Sequence, residues 1–380
     1  MEYLLLLMLF PVWHSYVLYP FLLSLFCRPR KEVISTHLDI LPGISVLIAA
    51  RNEESVIEEK LMSLIKGHYP VDKLDIIVGS DASTDSTDEI VSRLAASYPC
   101  IRLLRFDRRK GKSQMLGHLK GHARHELLLL TDANVFLHPD CLQELVYMAD
   151  RRSAGLVAAE IRHSRKDDRM VAADEHRFQR FENRMKSRES ACWDLVMGVE
   201  GGCFLIRREL MPEIPANALV DDFYIAMSLM QDGHRVIWNS QALAFEDPST
   251  DESEEFRRKV RISRGNFQNL GHFRNVLIRK PLPLGYAFLS HKIFRWLTPV
   301  FLLLSLIPAG ILAFTGHVFA LSYLAFLLLA ALLSVSPLHQ AKGIRSIRHW
   351  LWMNIALLKG LILHITKQGP YVWEPTKRKQ

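Results

Sequence analysis

Residues 3–26 contain no Lys, Arg, Asp or Glu, and that absence constrains the chain more than any other feature. At about 1.5 Å per helical residue, such a run reaches across a hydrocarbon core about 30 Å thick. The positive charges Arg28, Arg30 and Lys31 follow the run instead of preceding it, and no small-x-small site closes it. It therefore reads as an uncleaved anchor and not as a signal peptide. Lys and Arg favour the cytoplasmic face, which predicts an N-terminus outside and the next domain in the cytosol. A second apolar region covers residues 296–365 with interruptions. With 380 residues, 49% of them hydrophobic, and a formal net charge of +8, the chain has room for one large globular domain besides its membrane segments. Cys27, Cys100, Cys141, Cys192 and Cys203 show no paired spacing. That suits a reducing compartment and indicates neither a zinc site nor a disulfide framework. The basic residues cluster beside apolar segments and not on a domain face, which argues against a nucleic-acid partner.

Between residues 44 and 250 short apolar runs alternate with helix-period stretches, the pattern of a mostly parallel α/β sheet with covering helices. Ile44–Ala50 reads as a buried strand, Arg51, Asn52, Glu53 and Glu54 as a polar loop, and Ile57, Leu61, Leu64 and Ile65 as the apolar face of a helix. Residues 74–79 form a second strand, followed by Ser80, Asp81, Ala82, Ser83, Thr84, Asp85, Ser86 and Thr87, a cluster suited to cap a helix that starts near Ser86. Ile101–Phe106 is a third strand and Leu127–Thr131 a fourth, with Asp132 at its carboxyl end. Ligands of open α/β sheets collect at that edge, where Glu53, Asp81 and Asp132 belong. Singly, each acid has a plainer reading: Asp81 and Asp85 as turn formers or caps, Glu53 as a helix-start charge, Asp132-Ala133-Asn134 as a strand-to-loop turn.

Further on, Asp221 and Asp222 open a helix-patterned run through Ala226, Leu229 and Met230 that Gly233 can end. A helix N-terminus favours an ionised carboxylate and hence a base, although a plain cap reads the same way. Gly201 and Gly202 sit in a loop leading into a strand, where glycine permits close backbone approach or marks a turn. Residues 253–269 are helical in pattern, with Phe256, Val260 and Phe267 for burial and Arg257, Arg261 and Arg264 on one face. Such a face suits a diphosphate or anionic lipid headgroups.

The order of these motifs is more specific than any one of them. The run from Ser45 through Arg51-Asn52-Glu53-Glu54, then Asp81 to Thr87, Gly111-Lys112, Asp132-Ala133-Asn134 and Asp221-Asp222 resembles the inverting family 2 glycosyltransferases. The tail resembles their membrane-embedded branch, which includes the synthases of cellulose, chitin, hyaluronan and poly-N-acetylglucosamine. The resemblance implies a GT-A fold, with a Rossmann-like nucleotide-binding half joined to an acceptor-binding half, over residues 40–275. It implies an inverting hexosyltransferase that moves a sugar from a UDP-sugar to a growing glycan, with Mg²⁺ or Mn²⁺ on the diphosphate. Ala50, Arg51, Asn52 and Glu53 would line the uracil, Asp81 would accept from its N3, and Lys112 and Asp132 would face the donor phosphates. Asp132 and Asn134 would ligate the metal, Asp222 would be the base with Asp221 beside it, and Gly201 and Gly202 would admit the acceptor. Arg258, Arg261 and Ile262 fall where processive members carry Gln-x-x-Arg-Trp.

Several letters depart from the family. Asn134 replaces a second Asp, Val220-Asp221-Asp222 replaces Thr-Glu-Asp, and Arg258 and Ile262 replace the Gln and the Trp. Loss of that Trp puts processive extension in question. Transfer of a single sugar to a polyprenyl phosphate or glycolipid is one alternative, and a non-catalytic nucleotide-binding scaffold another. In the membrane part, residues 1–27 read as a transmembrane helix, 281–296 as an interfacial helix and 297–336 as a transmembrane hairpin turning at Thr315-Gly316-His317. Residues 350–366 read as an interfacial or re-entrant helix before a basic tail. The partners expected are a UDP-sugar, a glycan or lipid-linked acceptor and the bilayer of an inner or plasma membrane.

Overall fold

The computed structural model describes residues 1–28, 40–163, 170–246, 252–336 and 341–368. It divides into two compact units, one built on residues 27–168 and 180–250, the other on residues 1–26, 169–179 and 251–369. In the first unit the expected α/β architecture is present as a sheet of eight strands: β1 (Ile44–Ala50), β2 (Leu74–Asp81), β3 (Ile101–Phe106), β4 (Leu127–Thr131), β5 (Val135–Leu137), β6 (Leu156–His163), β7 (Cys203–Arg207) and β8 (Val236–Glu246). Their order across the sheet is β3-β2-β1-β4-β7-β6-β8-β5. The pairs β1–β2, β2–β3, β1–β4 and β6–β8 are parallel, and β4–β7, β6–β7 and β5–β8 antiparallel.

The strand sequences explain why the parallel part lies inside. All eight residues of β2 are buried, and so is every residue of β1 except Ala49. Strands buried on both sides in this way need cover on both faces, which parallel strands receive from their crossover helices, and their buried polar residues Ser45 and Asp75 bond to each other at 2.8 Å. Ile57, Leu61 and Leu64 of the helix Ile57–Ile65 join that core, as do Cys141, Leu142 and Leu145 of the helix Cys141–Arg151. Register then sets up the ligand edge. Ala50 lies opposite Ser80, and Leu47 opposite Leu130, so β1, β2 and β4 run out of the sheet side by side. The chain switches direction across the sheet at β1, where such folds open a crevice. Strand β7 runs against β4 with Cys203 opposite Thr131, so the loop entering β7 arrives where β4 leaves.

Two details differ from the sequence reading. Strand β2 continues past Gly79 to Asp81, while the next helix Thr87–Ser97 starts where expected, with Asp85 of the capping cluster accepting from the Thr87 N–H at 3.1 Å. Cys27 and Cys192 form a disulfide with Cα atoms 5.3 Å apart across 165 residues of sequence. The expectation of no disulfide, and with it the cysteine argument for a reducing compartment, is thereby corrected, because spacing along the chain carries no information about a contact made in three dimensions.

The second unit is helical. Residues 2–26 form one helix of 25 residues with a π segment at His14–Leu18. Among the described residues, Glu2–Phe26 and Val318–Val335 are long and apolar enough to cross a bilayer. The segments Pro281–Trp296 and Thr298–Phe314, bent by 66°, meet the same criterion only together. The helix Glu252–Phe273 groups with these apolar helices and not with the sheet, although residues 40–275 read as one domain in the sequence. It packs along Lys342–Ile365, a single helix of 24 residues. A Cβ at Gly360 would lie 2.4 Å from the Ser263 Cβ, so glycine is what lets these two helices approach. Phe256 meets Trp352 edge to face at 5.2 Å.

Candidate active site

At the carboxyl edge of the sheet, three carboxylates converge on one ammonium. Lys112 opens the helix Lys112–His122, and its Nζ donates to Asp132 Oδ1 at 2.7 Å and lies 3.8 Å from Asp221 Oδ2. Burial works against the Lys112 charge, yet Asp132, Asp221 and Asp222 more than offset it and hold the ammonium above the usual lysine range. Asp222 responds the other way. Burial first, then the charge of Asp221, pushes its carboxyl up from an ordinary 3.8 to about 6, against the pull of Lys112 and the Phe223 N–H. That N–H donates to Asp222 Oδ1 at 2.7 Å at the start of the helix Asp221–Gln231.

The loop before β7 closes this cluster. A Cβ on Gly201 would lie 2.8 Å from Asp222 Oδ2, and one on Gly202 would lie 2.5 Å from Ile161 Cδ1. The Gly202 carbonyl accepts from Thr131 Oγ1 at 2.7 Å and from the Asp132 N–H at 3.3 Å. Just upstream, Glu200 pairs with Lys186, and Glu189 accepts from the Met197 N–H at 3.0 Å. Gly201→Ala is expected to keep the fold, since the clash falls on a movable carboxylate, while shifting Asp222. A displacement of that kind costs about 100-fold in turnover. A melting curve beside a rate assay checks it, and an unchanged rate would remove the contact from the site.

The residues that follow β1 and β2 form a second group. Asp81 is buried, and its two carboxylate oxygens accept from the Lys110 and Gly111 N–H groups at 2.6 and 3.0 Å. It thereby holds the turn that presents Lys112, a turn in which Gly111 adopts φ +82°. Arg51 donates to the Asp81 carbonyl at 2.7 Å. Asn52 takes φ +51° and accepts from the Thr84 N–H at 2.8 Å, and the Glu53 N–H donates to Thr87 Oγ1 at 2.8 Å. The loops after β1 and β2 are thus knitted together beside the buried Ala50.

Asn134 donates from Nδ2 to Glu246 at 3.0 Å, a consequence of β5 lying on β8 with Val135 opposite Glu246. Among the described residues no three His, Cys, Asp or Glu side chains are grouped to hold a metal ion. The protein would supply a partial oxygen shell, which suits Mg²⁺ or Mn²⁺ completed by diphosphate and water. Three carboxylates around one ammonium also leave an excess of negative charge for a divalent ion to offset. Arg258, Arg261 and Ile262 lie on the helix Glu252–Phe273 in the other unit, where Arg258 is 3.6 Å from Glu255.

The sequence reading passed over Lys60, which has no exposed surface and whose Nζ donates to Thr131 Oγ1 at 2.7 Å and to the Val135 carbonyl. Its signal was present: Lys60 lies three residues after Ile57 and four before Leu64, on the face that the apolar residues mark as buried.

The profile of the glycosyltransferase-like family 2 matches residues 42–265. The chain belongs to that family. Among curated relatives, the probable glycosyltransferase YdaM of Bacillus subtilis is 26% identical over 244 residues, covering 60% of this chain and 56% of its own length. A beta-monoglucosyldiacylglycerol synthase of Nostoc is 32% identical over 137 residues, covering 35% of this chain and 28% of its own. The chain therefore aligns with about half or less of these relatives. Among solved structures, the mannosyltransferase PcManGT of Pyrobaculum calidifontis, in complex with GDP-Man and Mn²⁺, superposes with a TM-score of 0.74. It is 21% identical and covers 97% of this chain and 99% of its own. This family 2 glycosyltransferase accordingly has the GT-A type of fold, a mixed and mostly parallel sheet with helices around it.

Proposed function

We propose that this family 2 glycosyltransferase is an inverting hexosyltransferase in a membrane, moving a sugar from a UDP-sugar to a growing glycan, with its sheet domain cytosolic. The observation that carries this reading is the cluster of Asp222, Asp221, Asp132 and Lys112 at the carboxyl edge of the sheet. Inversion needs one base opposite the leaving group. Asp222 fits that role because its raised proton affinity matches the hydroxyl proton it must take up. Gly201 lets the loop approach the Asp222 carboxylate, which a Cβ there would crowd. Asp132 and Asn134 would hold Mg²⁺ or Mn²⁺, and Lys112 would face the phosphates. When bound, the ion would offset the charge that grows on the departing diphosphate.

Asp81 fixes the Lys110–Gly111 turn and keeps lone pairs for the N3 donor of a uracil ring. Ala50, Arg51, Asn52 and Glu53 would flank the ring. The two helices long and apolar enough to cross a bilayer and the basic residues beyond residue 26 support the membrane reading. A second reading, addition of one sugar to a lipid, draws on Ile262, where processive relatives of the resemblance carry Trp, and on the named glycolipid synthase among the relatives.

The test is nucleotide release from UDP-glucose, UDP-N-acetylglucosamine and GDP-mannose by the full chain in detergent. Turnover is expected from a UDP-sugar with Mn²⁺ or Mg²⁺, falling about 100-fold or more when EDTA removes the ion. Release from GDP-mannose alone would overturn the uracil assignment, and activity indifferent to EDTA would overturn the metal. A ladder of products supports glycan extension, whereas a single added sugar supports the lipid reading.

A further inference from the structure

Lys60 spends a buried charge on two particular acceptors. Enclosing an ammonium is costly unless it is fully hydrogen-bonded, and burial lowers its proton affinity to about 8 against the pull of Cys203, Asp132 and Cys141. The two acceptors, Thr131 Oγ1 and the Val135 carbonyl, are the two ends of the turn that carries Asp132 and Asn134. Thr131 Oγ1 in turn donates to the Gly202 carbonyl at 2.7 Å, and the Asp132 N–H reaches the same oxygen. Gly201, the next residue back, touches Asp222. One ammonium therefore braces both parts of the site through a continuous set of hydrogen bonds. An apolar side chain at position 60 would fill the space without holding either end of the turn.

We propose that Lys60 is a positioning residue that fixes the spacing between the Asp132 turn and the glycine loop against Asp222. The proposal rests on the reading of Asp132 as the metal and diphosphate carboxylate and of Asp222 as the base. Lys60→Met, in the full chain in detergent, tests it by two measurements. Amide hydrogen exchange is expected to quicken about tenfold in peptides covering residues 131–137 and 198–203 while β2 keeps its protection. The Mn²⁺ concentration that half-saturates nucleotide release is expected to rise about 10-fold and kcat to fall about 10–100-fold, with the donor KM changing little. A role in packing alone would lower the melting temperature without moving the metal requirement.

Should Lys60→Met fail to fold, the near-isosteric Thr131→Val removes the hydroxyl link alone and is expected to shift exchange and Mn²⁺ requirement in the same directions. Unchanged exchange in both segments, or an unmoved Mn²⁺ requirement with kcat within about twofold in a folded variant, overturns the proposal. If the native chain releases nucleotide from no donor, the reading as a transferase fails, while the exchange data still decide whether Lys60 braces the turn and the loop.

Discussion

Asp222→Asn is expected to lower turnover by about 10²–10⁴-fold, the usual worth of a general base, while the affinity for UDP with Mn²⁺ by calorimetry stays nearly constant. Asparagine keeps the shape of the side chain, and its amide oxygen still accepts from the Phe223 N–H, so the start of the helix survives. The native protein should show the same group in its pH profile. A base works deprotonated, and the Asp222 carboxyl is pushed up to about 6, by burial first and by Asp221 second. The rate should therefore climb as pH rises through about 6 and level off above it. Stability runs in the opposite sense. A folded-state value above the ordinary 3.8 means that the stabilising contribution is complete below 3.8 and is lost as pH rises through about 6. At neutral pH the ionised group is a burden, so Asp222→Asn should melt higher by about 2–4 °C while losing turnover. Undiminished turnover in that variant would remove Asp222 as the base.

Lys112→Met should be nearly as damaging, but through a different signature. Methionine replaces the aliphatic stem and removes the cation among Asp132, Asp221 and Asp222. Loss of a charge aimed at developing negative charge costs about 10²–10³ in turnover, and here the donor KM should rise as well. Because Lys112 lowers the proton affinity of Asp222, its removal should move the acid limb of the rate profile to higher pH. Asp222→Asn abolishes that limb, whereas Lys112→Met displaces it. A limb that stays in place in Lys112→Met would separate the two residues and end the account of them as one cluster.

The parts legible in the sequence are those governed by local pattern. Strands β1, β3 and β4 fall on the runs read from the sequence, because short stretches rich in Ile, Leu and Val between turn residues mark strands whether wholly buried, as most of β1 and β4, or half-covered, as β3. Asp221 begins its helix, and Gly233, with φ +90°, follows its end, since both positions are set by helix-terminus chemistry. What stayed hidden depends on partners distant in sequence. Asp81 could be placed at the sheet edge, but its hold on Lys110 and Gly111 could not be foreseen. Asn134 was legible as an amide in a turn, whereas its bond to Glu246 follows from β5 crossing to β8, 112 residues later. Lys60 was legible from its place on the buried face of its helix, against the usual expectation that a lysine there is a solvated charge, but its two acceptors were not. The helix Glu252–Phe273 reads as amphipathic either way, and only its packing against Lys342–Ile365 assigns it to the helical unit.

The opposed run of β4 and β7 makes the chemistry sensitive to counting. Side chains alternate along a strand, so one residue gained or lost within Cys203–Arg207 would invert the facing of the remainder and drag the glycines out of step with Asp132. Length changes in the surface connections would leave that alignment alone. Deletion scanning of this protein should thus find an intolerant stretch that runs from the Gly201–Gly202 loop through β7.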